Sequence, residues 1–285
     1  MPDRVTSQQV AERAGVSQSA VSRVFTPGAS VSEATAAKVR RAASELGYRP
    51  NVLARAMITG RSRMIGLVVA YLDNHFYPDA LERLSNALQA RGYHVLVFMA
   101  SQTAGNIDAV LGEILDYQVD GIVMASAAMS SELTSRCEAA GVPVVLFNRL
   151  QDDPRLSGVS SDNRAGGRAV GEFLIAGGHR RIAHIAGWQG ASTARDREAG
   201  FRAALKAGRT RLHAKAVGEF RLDTARAVAR DMFAGRDRPD AVFVANDHMA
   251  FAVMDVLRFE LGLDVPGDVS VVGYDDVSMA AWPTY

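Results

Sequence analysis

Residues 6 to 25, TSQQVAERAGVSQSAVSRVF, restrict the fold more tightly than any other stretch, because they spell two short helices with a single break at Gly15. Thr6, followed three residues later by Gln9, has capping-box form, and Val10 and Ala14 share one face at i, i+4. Ser17 is placed to cap a second helix in which Ala20, Val21 and Val24 turn inward while Gln18, Ser19, Ser22 and Arg23 stay outside. That outer face is short and polar and ends in a guanidinium. It suits a helix laid in the DNA major groove, where hydroxyls and amides reach phosphates or base edges and an arginine grips guanine O6 and N7 together. By pattern alone, a solvated helix pair in an α-domain is the alternative.

The next residues narrow the choice. Ser32 opens a third helix whose Val39, Ala42, Ala43 and Leu46 form one stripe, with Gly47 as its stop, so three helices can share a small core. YRPNVLARAMITGRS, residues 48–62, follows without a gap. Through VAERAGVSQSAVSRV, VSEATAAKV and GYRPNVLARAM, the passage resembles the DNA-binding head of the LacI/GalR family of bacterial repressors. The resemblance implies a homodimer on a pseudo-palindromic operator, one head per half-site. It implies that the recognition helix begins at Ser17 and presents Gln18, Ser19 and Arg23 to bases. Thr6, Ser7, Ser17, Ser22, Ser32 and Thr35 would hold the DNA backbone and fix register without reading sequence. Thr26, where the family often has asparagine, joins the DNA-facing set, and the family also carries tyrosine and glutamine where Gln18 and Ser19 stand, which leaves the operator sequence open.

In the implied hinge, Asn51, Ala54 and Met57 are further DNA contacts. Asn51 caps a helix to about Ile58 that is too short to form alone, because nucleation costs more than its few hydrogen bonds return. It should order only against DNA and its dimer mate. Met57 takes the position of an apolar wedge that opens a base step, the alternative being simple packing between paired hinges. The expected divisions are a head over 1–49, a hinge over 50–62 and a core over 63–285.

Charge agrees with that division. Residues 1–62 hold nine Lys or Arg against four Asp or Glu, a net of +5, and the remainder holds 23 against 27, a net of −4. The positive charge is thus gathered where phosphate binding needs it. The amino terminus has no apolar run, and nothing reaches the roughly eighteen consecutive apolar residues of a membrane span, so a cytoplasmic protein, nucleoid-associated when on DNA, is expected. A single cysteine, Cys137, leaves no intramolecular disulfide and no thiolate cluster, and a buried, inert thiol is the expectation.

Beyond Arg63, apolar runs at 65–70, 94–99, 121–125, 144–147, 182–186, 241–245 and 269–273 alternate with helical segments near 78–91, 106–117, 131–140, 164–176, 194–207, 224–233 and 248–261. Continuous β-branched runs of this kind predict parallel strands buried on both faces in a doubly wound α/β body. QDDPRLSGVSS, residues 151–161, is polar and proline-containing and reads as the crossing between two lobes with a cleft between them.

The resemblance extends over DGIVMAS, PVVLFNR, SSDNRAGGRAVGEFLIAGGHRRIAHIAG, STARDREAGFRAAL, VFVANDHMA and VSVVGYDDVSMAAWP. It implies a two-lobed effector-binding and dimerisation core, similar in fold to periplasmic sugar-binding proteins, with Phe76, Ser126, Asn148, Arg197, Phe220, Asn246 and Asp275 lining the cleft. Arginine, asparagine and aspartate suit adjacent hydroxyls, and the two phenylalanines suit a ring face, so a sugar or sugar derivative is the implied effector. The alternatives are structural: Asn246 and Asp247 as helix caps, Phe220 as plain core. Family members usually run several tens of residues past AAWP, which implies a core incomplete at Tyr285 with an unpaired strand edge.

No catalytic signature is found: no phosphate loop, no G-x-G-x-x-G after the first strand, no H-E-x-x-H and no G-x-S-x-G. Gly166-Gly167 reads as close helix packing rather than a phosphate cradle, and His94, His179, His184, His213 and His248 form no close ligand pair. The expectation is a regulator that is no enzyme and needs neither cofactor nor metal. The rival is a small-molecule receptor or enzyme carrying the head as an interaction module.

Overall fold

The computed structural model describes residues 5–26, 28–50, 60–100, 104–125 and 130–285, and the chain divides into two compact units, Met1–Ser62 and Arg63–Tyr285. Asn51, Ala54, Met57 and Ser126 lie outside the described residues.

In the first unit α1 (Ser7–Ala14), α2 (Gln18–Val24) and α3 (Glu33–Leu46) each begin at a hydroxyl cap. Thr6 and Gln9 close a reciprocal capping box, Ser17 accepts from the Ala20 amide and Ser32 from the Thr35 amide. Gly15 and Gly47 end α1 and α3 in the left-handed conformation, at φ 65° and 66°, where a Cβ would be strained. Val10, Val21 and Val39 are fully buried and meet Ala42 and Ala43 in one core, closed by Phe25 and Tyr48 with ring centroids 5.8 Å apart. The inward and outward faces are those the spacing predicts, although Ala14 is only partly covered and Ala11 takes the buried place beside Val10.

The second unit holds two all-parallel sheets. β1 (Met64–Val69), β2 (His94–Met99), β3 (Gly121–Ala125), β4 (Val144–Phe147) and β5 (Ser157–Val159) form the first, in the order β2-β1-β3-β4-β5. The second has the order β7-β6-β8-β9, from β6 (Ile182–Ala186), β7 (Ala214–Val217), β8 (Ala241–Val244) and β9 (Ser270–Val272). Crossover helices connect them: α4 (Phe76–Gln89), α5 (Ala104–Asp116), α6 (Ser131–Ala139), α7 (Asn163–Ala176), α8 (Ser192–Ala207), α9 (Leu222–Phe233) and α10 (Asp247–Asp255). β6 and β8 are buried at every residue, as a strand flanked on both faces must be.

Several expectations need correction. β2 sits at a sheet edge, so Val97 and Met99 are 44% and 51% exposed rather than buried on both faces. The polar crossing contains a strand, β5, wholly exposed at the other edge of the first sheet, where solvent allows a polar sequence. Ala214–Val217 also forms a strand, β7, whose partial exposure at the edge of the second sheet hides the apolar signal. The helix expected to reach Leu261 turns from α10 into a π-helix over Val256–Glu260. Cys137 is buried, and burial pushes its thiol up, as expected of an inert group.

Candidate functional site

On the first unit, Gln18, Ser19, Ser22 and Arg23 are all exposed on one side of α2. Gln18 Nε2 donates to Ser7 Oγ at 2.9 Å, so the start of α2 is tied to α1, and Ser17 and Ser19 hydroxyls lie 2.9 Å apart. Thr26 Oγ1 donates to the Ser22 carbonyl at 2.8 Å and Ser32 Oγ to Thr35 Oγ1 at 2.8 Å. Behind this face, Arg13 pairs with Glu45 at 2.7 Å and braces α1 against α3. Thr6, Ser17 and Ser32 therefore have a local role as caps. The polar face is carried on a core with little freedom to move.

In the second unit the site builds on strand ends of both lobes. Asn148 follows β4 at φ 71°, and its Nδ2 donates to Tyr77 Oη at 3.3 Å. Phe76 opens α4 and stacks on Phe147 at the end of β4, 6.1 Å between centroids. From the other lobe, Arg197 is 3% exposed, and α8 aims it across the ends of β8 and β9. Its Nε donates to Asn163 Oδ1 at 2.8 Å, Nη1 to the Ala245 carbonyl at 2.6 Å and Nη2 to Asp275 Oδ1 at 3.0 Å. Tyr274 covers the guanidinium face, 3.8 Å from Cζ to the ring centroid.

A cavity of about 420 Å³ opens between Phe76, Asn148, Arg197, Tyr274 and Asp275. Phe220 and Asn246 line an adjoining constriction with Tyr71 and Arg149. Six of the seven expected cleft residues thus converge, and the seventh, Ser126, is outside the described residues. The Asn246 side chain caps α10 by accepting from the Met249 amide at 3.1 Å, the structural alternative open in the sequence. Phe220 is 9% exposed and follows Glu219 in the left-handed region, both at φ 57°. Sequence reasoning passed over Tyr274, Arg149 and Trp188; the signal for Tyr274 was Gly166, where a Cβ would fall 2.2 Å from its hydroxyl. Gly167 is still tighter, 2.0 Å from the Arg197 carbonyl, so it serves helix packing, whereas Gly166 makes room for the Tyr274 ring.

Burial governs the electrostatics. It pushes the Asp275 carboxyl up to about 7 against the pull of the Arg197 guanidinium. Asp247 is also raised by burial, opposed by backbone N–H donors that include Val277 at 3.1 Å, and burial raises Tyr274 and lowers His248. The cleft therefore combines a satisfied cation with carboxyls that resist ionisation, a lining suited to hydroxyl-bearing ligands. Among the described residues no group of three or more His, Cys, Asp or Glu is arranged to hold a metal ion, and no helix is long and apolar enough to cross a membrane.

Residues 6–51 match the family described as bacterial regulatory proteins, lacI family, and residues 65–281 match the periplasmic binding protein domain. The chain is 37% identical to the HTH-type transcriptional regulator CelR of Thermobifida fusca, over 97% of this chain and 84% of that one. It is 31% identical to the ribose operon repressor of Escherichia coli (strain K12), over 98% and 85%. Among solved structures, the lac repressor dimer bound to operator and the anti-inducer ONPF is similar at TM-score 0.86 and 30% identity, covering 98% of this chain and 84% of that one. The CelR–cellobiose complex is similar at TM-score 0.69 and 35% identity, covering 97% and 84%.

Proposed function

The chain belongs to the LacI family of bacterial regulatory proteins, and from that membership we propose that it represses transcription as a homodimer on a pseudo-palindromic operator, switched by a sugar-like effector in the cleft. Gln18, Ser19 and Arg23 read bases; Thr6, Ser7, Ser17, Ser22, Ser32 and Thr35 hold the phosphate backbone, and Thr26 belongs to the same DNA-facing set. Residues 1–49 act as head, 50–62 as a hinge in which Asn51, Ala54 and Met57 meet DNA, and 63–285 as effector core. The observation that carries this reading is the exposed polar face of α2, ending in Arg23, on a capped three-helix core inside a segment of net charge +5.

Effector binding shifts the balance of lobe arrangements, and the paired hinges follow; a coupling of about 1 to 3 kcal/mol per site is enough for a switch. Since one relative is solved with cellobiose and another is named for ribose, neutral sugars are the first class to try. Phe76, Asn148, Arg197, Phe220, Asn246 and Asp275, with Ser126, are the residues assigned to it. The protein works in the cytoplasm, on the nucleoid when bound to DNA, and we assign it no reaction.

Selection of duplexes from a random pool tests the proposal. A palindrome should emerge, and its affinity should fall with salt at roughly 0.9 log units per log salt for each phosphate neutralised. A pool without palindromic enrichment, or a flat salt response, would overturn it.

A further inference from the structure

Arg149 lies just beyond β4, in the first lobe, and is 7% exposed. Its Nη2 donates to Tyr71 Oη of the same lobe at 2.9 Å. Its Cζ lies 5.6 Å from the Trp188 ring and 5.7 Å from the Phe220 ring, and both rings belong to the second lobe. A cation anchored in one lobe therefore ends against aromatic rings of the other; the guanidinium and Phe220 are sheltered from water, while Trp188 is 39% exposed and covers them from the solvent side.

Both rings lie directly on the chain behind them. A Cβ on Gly187 would sit 2.1 Å from Phe220 Cζ, and one on Gly190 2.3 Å from Trp188 Cζ2, so each ring rests on glycine backbone of the loop between β6 and α8. The left-handed Glu219 and Phe220 fix the approach from the other side. Among the other links that cross between the lobes, the Leu150 amide donates to Ser192 Oγ at 2.9 Å, and His248 Nε2 stands 3.9 Å from Asp73 Oδ2. The first is exposed and the second involves an Asp73 that is 69% exposed, so both compete with water in a way that the buried guanidinium does not.

We infer that Arg149 is the latch of the cleft, a positioning residue that holds the lobes together through its guanidinium on Trp188 and Phe220 and so sets how far effector occupancy can shift them. This rests on the reading of the cleft as the effector site. Arginine is the residue type that such a latch requires, because a planar guanidinium offers its face to rings while donating in its plane to Tyr71, which a lysine ammonium cannot do. Phe220 and Asn246 line the constriction beside Arg149, so a ligand entering there meets the rings that the latch engages.

The chain has two tryptophans, Trp188 and Trp282, so a Trp282→Phe background leaves Trp188 as its own reporter. In that background, Arg149→Met keeps length without charge and Arg149→Lys keeps charge without the plane. Arg149→Met should raise acrylamide quenching of Trp188 about twofold and shift operator Kd about fivefold or more without added ligand, with a melting temperature near the parent's. Arg149→Lys should fall between. A merely packed arginine would change the quenching alone, so unchanged operator affinity in folded Arg149→Met overturns the latch. If Arg149→Met does not fold, Trp188→Leu removes the cradle from the opposite lobe, and the same shift in operator Kd is required. If the parent itself prefers no palindrome, the regulatory reading fails separately. Raised quenching with a larger radius of gyration for Arg149→Met would then still support the latch, and no change in either would overturn it.

Discussion

His184 shows how one buried side chain ties stability to pH. It is fully buried on β6, its Nδ1 lies 2.9 Å from the Phe243 carbonyl, and its ring stacks on that of Phe243 at 4.8 Å. A carbonyl only accepts, so Nδ1 carries the proton and donates, and Nε2 is left as a bare lone pair with no partner among the described residues. Burial drives its pKa down to about 4 against the Phe243 hydrogen bond and the Glu198 carboxylate, while Lys215 and Arg202 add smaller pushes downward. Between about 4 and 6.5 the unfolded chain is protonated there and the folded one is not. The stability this residue allows is full above 6.5 and is lost as pH falls toward 4, by roughly 3 kcal/mol in all. His184→Phe should lie within about 1 kcal/mol of the parent at pH 7.5, after losing one hydrogen bond, and exceed it at pH 5. Denaturant unfolding at the two pH values checks this; a gap that does not change with pH refutes the assignment. At Arg23, exposed at the end of α2, the consequence is specificity instead. Arg23→Ala should cost roughly 1 to 3 kcal/mol on the preferred operator and relax discrimination at one base pair, leaving thermal stability unaltered, as anisotropy titrations against single-base variants would report.

Among elements, the contact of α7 with α8 governs the cleft most directly. Gly167 meets the Arg197 carbonyl, Gly200 meets the Arg164 carbonyl at 2.0 Å for an added Cβ, and Gly171 meets Ala204 at 2.6 Å. Small residues on both helices thus let the backbones approach closely, and α8 in turn carries Arg197 to Asp275. Gly167→Ala should destabilise the second unit by about 1 to 3 kcal/mol and weaken ligand binding, because only movement of α8 relieves the clash. Gly235→Ala, where an added methyl meets nothing within 4 Å, should change stability by less than about 1 kcal/mol. Equal melting temperatures for the two variants would show that the helices adjust without cost. The short helices of the first unit depend on caps in the same way, since α2 has only seven residues and one fully buried side chain.

For the whole molecule, charge and ligand linkage are the properties that bear on regulation. The basic excess belongs to residues 1–62 and the acidic excess to the rest, so salt should act on DNA binding far more than on effector binding. Ligand binding, in contrast, should appear in the stability of the second unit. An effector at a hundred times its Kd adds about 2.7 kcal/mol, which for a unit of this size raises the melting temperature by roughly 5 to 10 °C. A thermal-shift panel of cellobiose, ribose and their phosphates would register this. Because Asp275 is pushed up to about 7, the folded state holds its proton where the unfolded state has released it. Between about 4 and 7 its contribution to stability therefore falls as pH rises.

Much of this organisation was legible in the chain itself. Caps at Thr6, Ser17 and Ser32, stops at Gly15 and Gly47, and the inward set around Val10, Val21 and Val39 are local signals, and local physics fixes what they mean. The parallel sheets were equally readable wherever a strand carries an apolar run, as at β3, β6 and β8 and even at the edge strands β2 and β9, but not at the edge strands β5 and β7, which carry none. Phe76, Asn148, Arg197 and Asp275 came from motif resemblance and do converge on one cavity. What no pattern could supply is the state of those groups: that Arg197 is already bound by Asn163, Ala245 and Asp275, that burial raises Asp275, and that Arg149 reaches rings in the opposite lobe. Periodicity records which way a side chain faces along its own element. Partners some thirty to eighty positions apart, and the water excluded between them, exist only once each lobe has folded and, for Arg149, once the two lobes have met.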